Sequence, residues 1–340
     1  MKIALVLVSL LGTLCACAQM EQAPHQAKYG VVARYAVGGA GGWDYISVDE
    51  QRHRIYMSRG DHVQVIDSRN GHLIGDLADT PGVHGVASDG GHLGFTSNGR
   101  SNTVTVFDVE SLATLDTVKV TGENPDAILY DPFSRRILTF NGRSANVTAI
   151  DTATRRVAGT LAVSGKPEFA ATDEHGRVFV NIEDKNSIAV IDMKTFTVAA
   201  EWPLGACDSP TGLAYDRRHA RLFTVCGNRE MVVVDARSGM ILAELPVGAR
   251  VDGAAFDEEL GLAFSSNGDG TMTVVAARGA NGYSVVGNVA TQAGARTIAI
   301  DPATHRLYLP TASFERATAP NARPTMVPGS FVILVVAPLS

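Results

Sequence analysis

The chain has 340 residues, of which 45% are hydrophobic, and its formal net charge at pH 7 is −6. A chain of this length can bury one or two substantial cores. Its acidic balance argues against a protein that coats nucleic acid or an anionic membrane, because those partners need a basic face.

The first eighteen residues, MKIALVLVSLLGTLCACA, have the composition of an export signal. Lys2 precedes an apolar run that is too short for a stable membrane span and ends in small residues. Two processing routes remain open. Residues 16–18 fit an A-x-A cleavage site, whereas residues 14–17 fit a bacterial lipoprotein box in which Cys17 is acylated. We therefore predict a periplasmic protein or an outer-membrane lipoprotein, with a short linker over residues 19–30.

A strand-like segment, VVARYAVGG at residues 31–39, comes next and precedes the first complete copy of an internal repeat. It resembles the segments that end later copies, such as ATLDTVKVTG at 113–122 and MILAELPVG at 240–248. We therefore expect it to serve as the fourth strand of an incomplete copy.

A four-segment unit repeats through the rest of the chain. An apolar segment ends in Asp, a second apolar segment follows a polar turn, and a β-branched run and an alternating segment complete the unit. The Asp that ends the first segment recurs every 40 to 44 residues, at Asp49, Asp89, Asp131, Asp173, Asp216, Asp257 and Asp301. Four short strands in a unit of this length indicate a β-propeller blade, so seven copies predict seven blades.

The two ends of the chain predict how the ring closes. The last copy supplies only three strands, and the segment at 31–39 supplies the missing one. We predict an all-β fold, a seven-bladed β-propeller with four-stranded antiparallel blades, in which the N-terminal strand joins the last blade and hides open edges. The propeller is predicted to be one domain over residues 31–338 and a monomer.

A ring of polar residues is predicted at the channel mouth, because the residue five before each repeated Asp stands where the innermost strand begins. These positions are Asp44, His84, Asp126, Glu168, Thr211, Asp252 and Arg296. Trp43 lies beside them. Carboxylates suit calcium or magnesium, and the imidazole adds affinity for a transition metal. The alternative is a solvated channel wall without a ligand.

The loops between the second and third strands should lie on the same face. They carry a basic residue in several copies, including Arg59, Arg100, Arg143 and Arg229. Such a rim could bind an anion, a nucleic-acid backbone or an acidic protein, or it could be ordinary solvated charge. We interpret the recurrent Asn-Gly in these loops as a hairpin turn that needs positive φ.

Two other features mark single copies. Cys207 and Cys226 both fall on the loop face of the fifth copy, and an exported pair of this kind is a disulfide candidate. The last copy carries a long Pro-rich and Ala-rich loop over residues 311–330, whose role the sequence leaves open.

The strands VFVNIEDKNSIAVID, LFTVCGNREMVVVD and GFTSNGRSNTVTVFD resemble the YVTN-type, YncE-like seven-bladed β-propeller family of exported bacterial proteins. The slot that reads Tyr-Val-Thr-Asn in that family holds IYMSRG, GFTSNG, VFVNIE and AFSSNG here. The resemblance covers about residues 30 to 338 and implies the fold. Members of this architecture differ in function.

The leading functional prediction is a non-catalytic binding or scaffold protein that uses its loop face and channel mouth for a small ligand or a protein partner. One alternative is a metal-dependent enzyme of the lactonase or lyase kind. Another is a nucleic-acid binder, which some family members are. No cofactor is predicted, although a divalent cation at the mouth stays open, and a membrane is expected as partner only through a lipid anchor on Cys17.

Overall fold

Seven four-stranded antiparallel sheets make up the protein. The structure, a computed structural model, describes residues 28–278, 282–315 and 325–339. Each sheet is one blade, and the blades form a ring, as the sequence predicts. A 3₁₀ turn at Glu183–Lys185 is the helical element of the described part of the chain. Among the described residues, no helix is long and apolar enough to span a membrane.

The innermost strands line the channel and the second strands pair with them. The innermost strands are β2 (Ile46–Asp49), β6 (Val83–Ser88), β10 (Pro125–Asp131), β14 (Pro167–Thr172), β18 (Pro210–Asp216), β22 (Val251–Asp257) and β26 (Ala299–Asp301). The second strands are β3 (Arg54–Ser58), β7 (Leu93–Asn98), β11 (Arg136–Asn141), β15 (Arg177–Ile182), β19 (Arg221–Cys226), β23 (Leu262–Asn267) and β27 (Arg306–Thr311).

The third and fourth strands build the outer half of each blade. The third strands are β4 (Val63–Asp67), β8 (Thr103–Asp108), β12 (Asn146–Asp151), β16 (Ser187–Asp192), β20 (Glu230–Asp235), β24 (Thr271–Arg278) and β28 (Val332–Pro338). The outermost strands are β5 (Leu73–Leu77), β9 (Thr114–Lys119), β13 (Arg156–Ala162), β17 (Thr197–Pro203), β21 (Ile241–Pro246), β25 (Gly282–Ala290) and, in the last blade, β1 (Tyr29–Ala36).

The innermost strands form a continuous ring. Each of them contacts the innermost strands of both neighbouring blades, and β26 of the last blade contacts β2 of the first. In the last blade, β1 pairs antiparallel with β28, from Tyr29 opposite Pro338 to Ala36 opposite Val332. The role of β1 in closing the ring stays a prediction.

The repeated Asp has the same structural task in every blade. Its carboxylate accepts a hydrogen bond from a backbone N–H two or three residues further on, as Asp49 does from Arg52 at 3.0 Å and Asp216 from His219 at 3.1 Å. The other copies accept from Gly91, Ser134, His175, Glu259 and Ala303. Asp favours such turns because its short side chain can bond its own backbone. The repeat is thus visible in the sequence because every blade needs this turn.

The Asn of the Asn-Gly segments braces the blade from inside. Asn141 is fully buried, accepts from Thr139 at 3.1 Å, and donates to Asn146 at 2.8 Å and Thr148 at 2.9 Å. Asn98 and Asn267 make the same kind of contacts in the second and sixth blades. Burial of an amide is tolerated here because its hydrogen bonds are satisfied.

The interpretation that the Gly of this segment supplies positive φ is wrong. The left-handed residue of the second blade's loop is Asn102, with φ 56°, and that of the third is Ala145, with φ 49°. Gly99 instead allows close approach of the neighbouring loop: a Cβ there would lie 2.6 Å from Nε2 of His84.

The hydrophobic core is divided among the interfaces between neighbouring blades. Phe95 and Val106 of the second blade pack with Ile137 and Ile150 of the third. Ile55 and Met57 of the first blade pack with residues of the last blade, such as Tyr308. This packing holds the innermost strands at fixed positions around the channel, and so it positions the side chains at the channel mouth.

Candidate functional site

The upper face of the propeller is the face that carries the loops from each fourth strand to the next first strand and from each second to third strand. These loops are bonded to each other: Gly99 N donates to Gly82 O at 2.8 Å, and Gly142 N donates to Asn124 O at 3.0 Å. The polar ring predicted from the sequence lies at the start of the innermost strands on this face.

An interruption of strand pairing aims the ring residues into the channel. The register between first and second strands shifts between Val83 and Val86 and between Pro125 and Ile128, and the fourth, fifth and sixth blades have equivalent shifts. The residues inside these shifts are His84, Asp126, Glu168, Thr211 and Asp252. Such irregularities re-aim side chains and are common at functional sites.

His84 connects the first three blades. Its Nδ1 donates to Oδ2 of Asp44 at 2.6 Å and lies 3.4 Å from Oδ1 of Asp126. Burial alone would lower the pKa of His84, but the hydrogen bond to Asp44 and the charge of Asp126 outweigh it and raise that pKa. Burial raises the pKa of Asp126, against the opposing effect of His84. One ligand atom from each of the three residues lies within 4.8 Å of the other two.

Arg296 bridges the last, the sixth and the first blades. Its guanidinium pairs with Asp252 and lies 3.6 Å from Oδ1 of Asp44. Burial still raises the pKa of Asp252 to about 6, because Arg296 offsets only part of that effect. Asp252 is therefore tied to an internal cation and lies outside the group formed by Asp44, His84 and Asp126.

Glu168 is the most strongly perturbed carboxyl of the mouth. Burial, followed by the charge of Asp126, raises its pKa to about 7. Its Oε1 accepts from the hydroxyl of Tyr45 at 3.3 Å, and its Oε2 forms an ion pair with Nζ of Lys166 at 3.2 Å. Lys166 also pairs with Glu183.

Three residues of this group were missed as site residues: Tyr45, Lys166 and Glu183. Burial raises the pKa of Tyr45 well above its usual range, with the nearby carboxylates adding to the effect. The sequence contained a signal that could have identified these residues. Tyr45 and Lys166 lie within two residues of ring positions, and Glu183 begins a loop on the same face.

The mouth carries more carboxylates than cations. In the described part of the chain, five carboxylates meet three cationic groups there. The carboxylates are Asp44, Asp126, Glu168, Glu183 and Asp252, and the cationic groups are His84, Lys166 and Arg296. An excess of buried negative charge is costly unless something neutralises it.

Two of the predicted site residues, Thr211 and Trp43, form part of the wall of the channel mouth. Thr211 is partly buried, and its hydroxyl reaches backbone carbonyls of Val225 and Val251 at 3.4 and 3.5 Å. Trp43 packs against Phe331 and Phe314, with ring centroids 5.2 and 5.9 Å apart. An indole held in this way contributes to packing between the first and last blades.

Arg59 does not belong to the predicted basic rim, because it is fully buried. Its guanidinium donates to the carbonyls of Gly38 and Ala40 and to the side chain of Gln64, and it stacks on Phe331 at 3.7 Å. Burial lowers its pKa to about 10. The groups that enclose it come from residues 38–41 and from the last blade, so the loop alone does not reveal them. Arg100, Arg143 and Arg229 are exposed.

The remaining sequence predictions concern the cysteines and the long loop. Cys207 and Cys226 form the expected disulfide, with Cα atoms 5.5 Å apart. Cys17 and the export signal lie outside the described residues. At the described ends of the 311–330 loop, Phe314 and Met326 form a β-bridge.

Similarity to solved structures is confined to the fold. The chain is similar to Kuenenia stuttgartiensis hydrazine synthase, with a TM-score of 0.71 and 15% identity over 79% of this chain and 92% of the other. It is also similar to a chain in the mitotic checkpoint complex, with a TM-score of 0.73 and 14% identity over 90% of this chain and 95% of the other. These likenesses show the propeller alone.

Sequence comparison does not identify a family for this chain. No protein-family model matches the chain, and no curated protein matches it either. Membership of the YVTN-type family therefore stays a prediction.

Proposed function

We propose that this protein is a binding protein whose channel mouth holds a small divalent cation between Asp44, His84 and Asp126. A β-propeller fold is consistent with a binding or scaffold role, since it presents loops on a rigid ring. The observation that carries the proposal is the convergence of two carboxylates and one imidazole, with ligand atoms within 4.8 Å, at a mouth with surplus negative charge.

The electrostatics of the neighbouring carboxyls support this assignment. The pKa of Asp126 is raised by burial, and those of Glu168 and Asp252 are raised to about 7 and about 6. Raised carboxyl pKa values mean that the ionised groups lack sufficient neutralising charge. Perturbed groups of this kind cluster at functional sites, and a bound cation would remove part of the cost.

The residue types indicate which cation fits. Carboxylate oxygens alone would suit calcium or magnesium, whereas an imidazole ligand favours a transition metal. We therefore expect Mn²⁺ or Zn²⁺ to bind better than Ca²⁺. His84 now donates from Nδ1 to Asp44, so Nδ1 would have to exchange its proton for the metal, whereas Nε2 faces the other way.

Metal titration of the mature protein tests the proposal. Calorimetry with Mn²⁺ and Zn²⁺, together with elemental analysis of the purified protein, should give one saturable site. An Asp44→Asn, Asp126→Asn double variant should weaken binding by about a hundredfold, about 3 kcal/mol. Asp116→Asn, which alters an exposed carboxylate on β9, should leave binding unchanged. Absence of saturable binding, or equal binding by the double variant, would count against the site.

One observation favours a metal-dependent hydrolase as the second candidate. Glu168, with its pKa raised to about 7, lies beside Tyr45 and close enough to Asp126 to sense its charge. A carboxyl that titrates near neutrality can serve as a general acid or base. Hydrolysis of simple lactones by Mn²⁺-treated protein, lost in Glu168→Gln, would favour this class. Binding of metal without turnover would favour the binding role.

The cellular setting of this function stays a prediction. The sequence alone predicts export, with either release into the periplasm or a lipid anchor on Cys17, and a monomeric state. Mass spectrometry of the protein purified from its native envelope should show either an acylated Cys17 or a free N-terminus after Ala18.

A further inference from the structure

A polar pocket lies on the upper face between the second and third blades. Its volume is about 330 Å³, and its lining includes Gly82, His84, Gly99, Arg100, Asn124 and Arg143. It adjoins the cation site through His84 but opens on the loop side of that residue. Nothing in the proposed cation site uses the arginines.

The two arginines of this pocket are not held by a partner, although the charge of Arg100 acts on the nearby Asp61. Arg100 and Arg143 are both exposed, and neither guanidinium makes an ion pair or a hydrogen bond with any residue that the structure describes. At the neighbouring channel mouth, by contrast, Arg296 pairs with Asp252. Glu123 is the carboxylate of the pocket lining, so positive charge exceeds negative charge there.

The side chains of His84 and Asn124 line the same space. Nδ1 of His84 is engaged by Asp44, which leaves Nε2 on the side of Gly99, where an added Cβ would lie 2.6 Å away. The side-chain amide of Asn124 makes no hydrogen bond with a described residue, while its backbone N–H is fixed by Asn102 at 2.8 Å. Gly82 and Gly99 keep the floor open, because a Cβ at Gly82 would meet the backbone of Arg100 at 2.7 Å.

We propose that this pocket binds an oxyanion group, a carboxylate or a phosphate, of a small ligand through the guanidinium groups of Arg100 and Arg143. The planar guanidinium presents two parallel N–H groups that match both kinds of oxyanion. Nε2 of His84 completes the donor set. This site shares His84 with the cation site, but its two guanidinium groups take no part there.

The chemistry of the pocket excludes a large apolar ligand. Its lining combines arginine, histidine, asparagine and glycine, and glycine adds no apolar side chain. A volume of about 330 Å³ is at the small end for ligand sites. The ligand class is therefore a small, polar, anionic molecule, or the anionic end of a longer one.

Calorimetric titration with inorganic phosphate and, separately, with acetate tests the proposal, at low ionic strength and with both anions taken to about 10 mM. The expected result is one saturable site, with affinity reduced about tenfold or more in Arg100→Ala, Arg143→Ala. Arg229→Ala is the matched control, since Arg229 is an exposed arginine in the corresponding loop of the fifth blade. It should bind like the unaltered protein.

The outcomes separate cleanly. Binding of phosphate without acetate identifies a phosphorylated ligand, and binding of acetate without phosphate identifies a carboxylate ligand. Binding of both identifies a site for either oxyanion, and each of the three results supports the site. Equal loss in Arg229→Ala would mean that general surface charge explains the binding, and would overturn the proposal. So would saturable binding that Arg100→Ala, Arg143→Ala leaves intact, or the absence of saturation with both anions. Both arginines are exposed, so the variants should fold, which their melting temperatures verify.

Discussion

Nδ1 of His84 lies 2.6 Å from Oδ2 of Asp44, so a charged hydrogen bond joins the second blade to the first across the channel mouth. The same nitrogen lies 3.4 Å from Asp126 of the third blade. The imidazole therefore has a fixed orientation, with Nε2 directed at Gly99. The orientation depends on space at position 99.

We expect Gly99→Ala to destabilise the protein and to displace His84. The new Cβ would lie 2.6 Å from Nε2 of His84 and 2.9 Å from Oδ1 of Asn124, and overpacking of this kind costs about 1–3 kcal/mol. Urea unfolding measures the loss. Gly142→Ala is the matched control in the third blade, where the nearest atom is 3.5 Å away. It should be neutral or stabilising by less than about 1 kcal/mol. Equal losses at both positions would contradict this role of His84.

We expect Glu168→Gln to raise the melting temperature at about pH 8 and to have little effect at about pH 4. The pKa of Glu168 rises from an ordinary 4.5 to about 7 on folding. Between those values the folded protein holds a proton that the unfolded chain has lost, so stability falls as pH rises through this window. Gln carries no charge, so the variant does not lose stability in this way as pH rises. We expect this gain in stability to outweigh the loss of the attraction between Glu168 and Lys166.

Thermal melts of both proteins between about pH 4 and pH 8 measure the sign of the change in melting temperature. Glu244→Gln, on the exposed side of β21, is the control and should show no such dependence. A Glu168→Gln variant that melts lower than the unaltered protein at about pH 8 would mean that the attraction to Lys166 exceeds the cost of burial.

We expect Asn141→Ala to cost on the order of 2–3 kcal/mol of unfolding free energy. The substitution removes three side-chain hydrogen bonds and leaves the buried hydroxyl of Thr139 without its partner, whereas Thr148 keeps its bond to Thr121. Asn228→Ala, at an exposed amide, should cost less than about 1 kcal/mol. Similar losses for the two variants would show that the internal brace adds little.

We expect loss of the Cys207–Cys226 disulfide to lower the unfolding free energy by roughly 3 kcal/mol. The bond closes a loop between cysteines 19 residues apart, and the chain-entropy account gives about this value for loops of that length. A Cys207→Ser, Cys226→Ser variant and the reduced protein should lose the same amount in urea. An unchanged midpoint after complete reduction would contradict the expectation.

The fold was predictable because each blade contains the same turn between its first and second strands, capped by an Asp. Asp131 and Asp216 cap equivalent turns with equivalent backbone hydrogen bonds, so the spacing between them is visible without a structure. Repeat equivalence also places Asp126 and Glu168 at the mouth. It carries no information on distances across the ring, and so it could not separate the group around His84 from Asp252, which pairs with Arg296.

Arg59 shows why the rest of the site escaped sequence reasoning. Its loop reads like its neighbours, but its partners, the carbonyls of residues 38–41 and the ring of Phe331, come from opposite ends of the chain. They meet only because the first and last blades are adjacent. Tyr45 likewise reaches Glu168 across 123 positions of sequence. Such contacts depend on side-chain distances within the closed ring, which no local pattern records.

The capping turns of the repeated Asp have a consequence for how this protein can vary. They all lie on the face opposite the mouth, where each blade makes the same hydrogen bond. The upper loops differ from blade to blade in length and charge. A library that randomises the exposed Arg100, Arg143 and Arg229 should therefore retain far more folded members than one that randomises Asp131, Asp216 and Asp257. The upper face therefore tolerates mutation better than the opposite face. New binding specificities can arise in the upper loops while the Asp turns preserve the scaffold.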